Sequence, residues 1–203
     1  SKDLESKWSP VDFYVGGAEH ATRHLIYARF WHKFLFDMGL VSSDEPFKKL
    51  QTVGLIMAED GRKMSKRWGN VVNPDDVINE YGADTLRIYE MFMGPFDGSV
   101  AWSTSSIRGV RRFLDRVWNL QSKINETADN EVVVNRLVKK VVDEVLDFKF
   151  NTAVAAMMSF LNEVEAKGIK SEDYKKFVKV LAPFAPHMCE ELWQNYFKER
   201  SSI

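Results

Sequence analysis

The chain changes its periodicity once, and that single change limits what it can fold into. Up to about residue 100, short apolar runs of strand length alternate with runs of helix length. From about Ser105 onward only the helical period is present. Val11, Phe13 and Val15 alternate with Asp12 and Tyr14, which predicts a short strand ended by Gly16-Gly17. A helix is expected from about Ala18 to Met38, stopping at Gly39, with Leu25, Ile26, Phe30, Phe34 and Leu35 among its apolar residues. The stretch from Thr52 to Met57 is nearly continuous in apolar residues and suits a buried parallel strand. Helices near Pro74–Glu80 and Ala83–Met93 follow, and Gly94-Pro95 closes the set. Strand, helix, strand, loop and helix in this order make half of a doubly wound α/β sheet, where ligands sit at the C-terminal strand ends. The predicted organisation is therefore α/β over residues 1–100 and an all-α helical bundle over 101–203.

Between the second strand and the next helix lies Gly61-Arg62-Lys63-Met64-Ser65-Lys66-Arg67-Trp68-Gly69-Asn70. Glycines bracket the basic run, so the backbone can bend sharply at both ends. Asn73 reads as the N-cap of the following helix and Pro74 as its first residue. A basic loop tethered in this way suits polyphosphate, because each lysine presents a compact charge with three donors. A solvated turn or a localisation-type basic run would have the same composition. The Gly16-Gly17 corner is the second site of interest. Glycines let a ligand approach the backbone, and a helix N-terminus favours negative charge. Glu19 is placed there to accept hydrogen bonds from ribose hydroxyls. His20 and His24 stand four apart. That is metal spacing, but no third ligand is nearby and the order is not the zincin His-Glu-x-x-His. No metal site is predicted; two packed helix histidines are the alternative.

The bulk numbers exclude several classes. The net charge of the 203 residues is −1, so nucleic-acid binding would have to come from local basic patches. One cysteine, Cys189, leaves no disulfide frame and no cysteine-based zinc site, and fits a reducing cytosol. No apolar run of about 18 residues is present, and the N-terminus does not read as a signal peptide. A cytoplasmic protein without membrane attachment is expected.

The residue order sharpens the reading. Lys63-Met64-Ser65-Lys66 resembles the KMSKS signature of class I aminoacyl-tRNA synthetases, with Arg67 in place of the final serine. The stretch from Tyr14 to Phe30 resembles the Y-x-G-G-x-E-H-A-x-x-H-L-x-Y-A-R-F segment of leucyl-tRNA synthetases. Phe47 to Leu50, Pro74 to Thr85 and Trp102 continue the likeness. The resemblance implies the second half of a Rossmann-type catalytic domain whose parent activates leucine with ATP and transfers it to tRNA(Leu). It implies that Lys63 and Lys66 stabilise the pyrophosphate, with Met64 and Ser65 in the same ATP-binding loop. Gly16, Gly17 and Glu19 would hold the adenosine of the adenylate, and Tyr14, His20 and His24 would line the leucine pocket. ATP with Mg2+ enters as substrate, and the implied parent is a monomer. Only positions 21 to 62 lie between His20 and Lys63, too few for the leucine-specific insertion of some bacterial members. The HIGH signature, the editing domain and the small C-terminal domain of the family are not among these residues, so the chain reads as an excised piece that is inactive alone.

In the helical half, Ile107, Val110, Leu114, Val117, Trp118 and Ile124 form an apolar stripe. Arg108, Arg112 and Arg116 recur every four residues, with only Asp115 expected to oppose them. They read either as a solvated face or as a phosphate-contacting stripe for tRNA. Helices are expected over about Val132–Leu146 and Thr152–Ala166, and Ser171 is the expected cap of a fourth. Pro183 and Pro186 break the pattern before a last helix in which Leu192, Trp193 and Tyr196 should be core, as should Met157 and Met158. The bundle resembles the anticodon-binding-type domain of this synthetase subclass, and His187 reads as a corner residue. Two rival readings stand beside this one: a non-catalytic RNA-binding module of synthetase-like shape, and a class I synthetase for isoleucine, valine or methionine.

Overall fold

The computed structural model describes residues 2–203. It divides into two compact units. One runs through Leu55 and takes in Asp97–Ser99; the other comprises Ile56–Phe96 and Val100–Ile203.

In the first unit a short helix, α1 (Lys2–Trp8), precedes strand β1 (Tyr14–Gly17). β1 pairs in parallel with β2 (Leu50–Val53), in a register running from Tyr14 opposite Leu50 to Gly17 opposite Val53. The strand expected from the Val11–Val15 alternation is therefore displaced. Val11 makes only an isolated bridge to Phe47, and the ladder includes the two glycines that were expected to end it. Register is set by the partner strand, which alternation within one strand does not report. The long helix is also shorter than expected. Ala18–Thr22 is a 3-10 turn, Arg23 breaks the chain at φ −126°, and the α-helix α2 covers His24–Asp37. Its end is where the sequence puts it: Gly39 has φ 67°, and the Gly39 and Leu40 amides donate back to Phe36 and Leu35. No described residue of this unit is buried.

The predicted strand Thr52–Met57 is two strands. β2 ends at Val53, and β3 (Ile56–Met57) pairs in parallel with β4 (Val100–Ala101) in the second unit. The break falls at Gly54, where a Cβ would overlap the carbonyl of Gly98, so the chain turns closely past another backbone there. Helices α3 (Pro74–Tyr81) and α4 (Ala83–Phe92) match their expected bounds. The Asn73 side chain caps α3, accepting from the Asp75 amide at 3.2 Å. The bundle then runs α5 (Thr104–Asn119), α6 (Glu131–Leu146), α7 (Phe150–Glu165), α8 (Ser171–Leu181) and α9 (Pro186–Glu191), with a π-helical extension over Leu192–Tyr196.

Its core is continuous. Ile107, Val110, Leu114 and Val117 of α5 meet Val134, Leu137 and Val141 of α6, and Val154, Met157 and Leu161 of α7. Ile88 and Tyr89 of α4 belong to the same cluster, so α4 packs as a bundle helix. The Tyr174 hydroxyl crosses the core to donate to the Val117 carbonyl at 2.8 Å. Four expectations need correction. Trp118 and Tyr196 are only partly covered, at 39% and 37% exposed, because each lies at the margin of its helix stripe. Met158 is half-buried at the edge of the core. Ser171 does not cap α8: it is the first helical residue, and its amide is satisfied by Glu126 Oε1 at 3.2 Å.

Candidate active site

The corner in the first unit is built on β1 and the 3-10 turn. The Tyr14 hydroxyl and His24 Nδ1 are hydrogen-bonded at 2.8 Å, and their rings stack with centroids 5.5 Å apart at 17°. Phe47 backs both rings, 4.6 Å from Tyr14 and 6.2 Å from His24. His20 meets His24 edge-on at 6.4 Å. Gly16 lies between aromatic neighbours: a Cβ there would stand 3.4 Å from Tyr14 and 3.9 Å from His20. Gly17 leaves space of a different kind. The Glu19 carboxylate folds back onto the space a Cβ at Gly17 would occupy. The structure thus brings together five of the sequence-predicted residues, Tyr14, Gly16, Gly17, Glu19 and His20, with His24 behind them. The break at Arg23 divides the single helix expected over Ala18–Met38, so His20 and His24 do not stand on one α-helix and their meeting depends on the 3-10 turn. His20 Nδ1 is buried and has no hydrogen-bond partner among the described residues. A buried unpaired ring nitrogen is costly, which leaves a polar demand at the wall of an aromatic corner. No group of three or more His, Cys, Asp or Glu among the described residues could hold a metal ion.

The basic loop in the second unit is a stitched turn. Lys63 bridges antiparallel to Met57, and the Ala58 amide donates to the Arg62 carbonyl at 2.8 Å. Asn70 Oδ1 accepts from the Ser65 amide at 2.9 Å, and Ser65 Oγ accepts from the Arg67 amide at 3.2 Å. Lys66–Trp68 forms one 3-10 turn, closed by Gly69 at φ 62°. Met64 packs inward against the bundle core, anchoring the loop's centre. Lys63 and Lys66 are exposed, and neither forms an ion pair among the described residues. Asp60 engages Arg62, through Nη2 at 2.6 Å and the backbone amide at 2.9 Å, which holds the Asp60 carboxyl below its ordinary range. The arrangement leaves two lysine charges free for an anionic ligand. Asn70 and Asp60 were not singled out in the sequence; Asn70 follows Gly69 closely enough that its amide could have been read as a turn acceptor.

The arginines of α5 divide by partner. Arg116 is bound to Glu165, Nη2 to Oε2 at 2.5 Å, and to Asn162 Oδ1 at 2.6 Å. Its guanidinium keeps the Glu165 carboxyl below the ordinary value of 4.5. Glu165, which is far away in sequence, is the carboxylate the expectation of Asp115 alone left out. Tyr81 and Glu80 beside Arg108 favour its charged form and raise its pKa. Arg111 pairs with Asp115 and donates to the Tyr81 carbonyl. Arg112 is exposed with no hydrogen bond or ion pair among the described residues.

Comparison with known proteins is consistent in its direction. Residues 2–103 match the family profile of class I tRNA synthetases (I, L, M and V), and residues 132–203 match the anticodon-binding domain of tRNA ligase. Two strains of Leptospira biflexa serovar Patoc carry a leucine–tRNA ligase 55% identical to this chain over 94% of its length. The chain spans 23% of those relatives. Among solved structures, the Agrobacterium radiobacter K84 agnB2 LeuRS in ternary complex with tRNA and LeuAMS superposes over the whole chain at TM-score 0.88 and 36% identity, covering 29% of that protein. Mycobacterium tuberculosis methionyl-tRNA synthetase bound by methionyl-adenylate shares the fold at TM-score 0.68 and 17% identity, over 92% of this chain and 44% of that one. The Gly-Gly-x-Glu-His corner, the Lys-Met-Ser-Lys loop and the bundle therefore have one explanation: the chain belongs to the class I tRNA synthetases of the isoleucine, leucine, methionine and valine group.

Proposed function

We propose that this chain supplies one wall of a leucine-activating site together with the helical platform that holds tRNA(Leu), with residues 1–100 serving catalysis and 101–203 serving RNA. In the reaction a leucine carboxylate oxygen attacks the α-phosphorus of ATP, which enters as its magnesium complex. The bond to the β-phosphate bridging oxygen breaks, and pyrophosphate leaves. A ribose hydroxyl at the tRNA terminus then takes the leucyl group and AMP departs. No protein nucleophile is needed; the work is positioning and charge stabilisation. Tyr14, His20 and His24 line the leucine pocket. Gly16, Gly17 and Glu19 receive the adenosine, with Glu19 accepting from ribose. Lys63 and Lys66, on a turn carried by Met64 and Ser65, stabilise the pyrophosphate as it leaves. Arg112, exposed and without an ion pair among the described residues, is the arginine of the predicted α5 stripe left for tRNA phosphate, while Arg116 is held by Glu165. The reading places the protein in the cytoplasm, in keeping with a single, buried, free Cys189.

The observation that carries the proposal is the corner. Stacked Tyr14 and His24 close an aromatic wall beside a buried, unpartnered His20 nitrogen, which suits a small ligand with an apolar side chain and polar ends. The test is leucine-dependent ATP–pyrophosphate exchange in a chimera in which these residues replace the matching segment of the Leptospira biflexa ligase. The chimera should exchange, and Lys66→Ala in it should slow exchange about 100-fold or more while leucine affinity barely moves, since one transition-state donor contributes about 2.7–4 kcal/mol. A folded chimera without exchange, or a Lys66→Ala loss confined to leucine binding, would overturn the assignment.

A further inference from the structure

The loop holds four cations within six residues, yet the two arginines point to a role different from that of the lysines. The Arg62 guanidinium lies 5.1 Å from the centroid of the Trp68 ring, and the Arg67 guanidinium lies 5.3 Å from the same centroid. Arg62 is tied at its other end to Asp60, with Nε to Oδ2 at 2.8 Å. The indole itself is 55% exposed and is not part of the bundle core, so packing does not account for its position. What holds it is the pair of guanidiniums and the 3-10 turn whose Trp68 amide donates to the Ser65 carbonyl at 3.0 Å. Arg67 stands where the signature has serine.

We propose that Arg62, Arg67 and Trp68 form a cation–π clamp that keeps the Lys63–Lys66 turn closed, and that Arg67 is a positioning residue acting through Trp68 and not a third phosphate ligand. Planar guanidiniums stack on an indole face, which lysine does less well. The clamp links residues on either side of the lysines: Arg62 precedes Lys63, and Arg67-Trp68 follow Lys66. A closed turn presents both lysines to one ligand at once, and a polyphosphate then binds with less ordering to be done. The proposal rests on the phosphate reading of Lys63 and Lys66, and the experiment separates the two.

The measurement is amide hydrogen exchange across residues 61–70 of the full 203-residue chain, together with calorimetric binding of inorganic pyrophosphate. Two cation–π contacts at an exposed site should change the opening equilibrium about 5- to 30-fold. Trp68→Leu should speed exchange of the Arg67, Trp68 and Gly69 amides by that order, Arg67→Ser, which removes one of the two contacts, should speed it about 2- to 5-fold, and the double variant should add little to Trp68→Leu. Trp68→Phe, which keeps a ring face, should recover most of the protection. Protection in α5 to α8 reports that the variants remain folded. Pyrophosphate affinity in Trp68→Leu should fall by up to the same factor, although every charge is retained, because a smaller fraction of the turn is competent to bind. Unchanged exchange in Trp68→Leu would overturn the clamp, as would additive effects of the two substitutions. Faster exchange with pyrophosphate affinity intact would overturn the positioning role. If Lys63→Ala/Lys66→Ala binds pyrophosphate like the unaltered chain, the phosphate reading fails and with it the positioning role, while the exchange data still decide whether the clamp exists.

Discussion

Arg112 and Arg116 sit one helical turn apart on α5, and their surroundings give them different work. Arg116 spends its donors on Glu165 and Asn162, whereas Arg112 has no partner among the described residues. Arg112→Gln should lower the slope of log affinity for tRNA against log salt by about one counterion and leave thermal stability unchanged. Arg116→Gln should do the reverse, costing on the order of 1 kcal/mol of bundle stability after allowance for partial exposure, with little change in the slope. Equal slopes in the two variants would return α5 to the status of a solvated face. The same pair sets a pH dependence. The hydrogen bond from Arg116 holds the folded Glu165 carboxyl below its ordinary 4.5, against the upward push of desolvation. The contribution to stability is thus fully present above about pH 4.5 and is lost as pH falls through the folded value. Unfolding midpoints followed from pH 6 to pH 3 should fall less steeply in Glu165→Gln than in the unaltered chain. The four-residue spacing of the arginines was legible in the sequence. Their partners were not, because Glu165 and Tyr81 are brought to α5 only by helix packing.

Helix ends show the same division between local and distant information. The Asn73-Pro74 start of α3 and the Gly39 stop of α2 are local devices, and both stand where the sequence puts them. The start of α9 lacks a local cap: Ala185 precedes Pro186 and offers no side-chain acceptor. The acceptor is Asp84, from the first turn of α4. Its carboxylate takes the His187 amide at 3.4 Å, His187 Nδ1 at 2.8 Å and the Met188 amide at 2.8 Å. Asp84 was not singled out in the sequence, because its purpose is clear only with α9 placed against it. Asp84→Ala leaves two amides at the start of α9 unpaired and should cost about 1–2 kcal/mol, the usual range for a lost cap. Asp84→Asn, which keeps one acceptor oxygen, should cost less. Urea unfolding of both variants checks the order; equal costs would mean the carboxylate's charge, and not its acceptor geometry, is what α9 uses. The strands were the least legible elements. β1 and β2 depend on a register between segments far apart, and Gly54 turns away because of Gly98, which no window around Thr52 contains.

At the scale of the whole chain the two units differ in what holds them. The second has a continuous core in which Ile107, Val117, Leu161, Phe177 and Leu192 are fully buried. The first has β1 and β2, a ring cluster around Tyr14 and several exposed ion pairs, but no buried residue among those described. Its α2 leaves Ile26 at 60%, Phe30 at 70% and Trp31 at 59% exposure, so the helix has an apolar face without a core beneath it. Exposed pairs such as Arg29–Glu45 cannot make up the difference, since such pairs contribute about 0–1 kcal/mol. Local contacts should let the bundle fold on its own, while the strand edges of the first unit invite association. Limited proteolysis of the purified chain should therefore cut first within residues 11–55 and leave a protected product containing α5 to α9. Amides of β1 and α2 should exchange far faster than those of α5 and α7. The same weakness predicts that the chain alone does not activate leucine: without a rigid partner for the Tyr14–His24 corner, the near-attack geometry that can contribute about 7–11 kcal/mol is lost. Leucine-dependent ATP–pyrophosphate exchange by the isolated chain at anything near the rate of the full-length Leptospira biflexa ligase, or equal protection of α2 and α7, would show that the first unit holds its corner unaided.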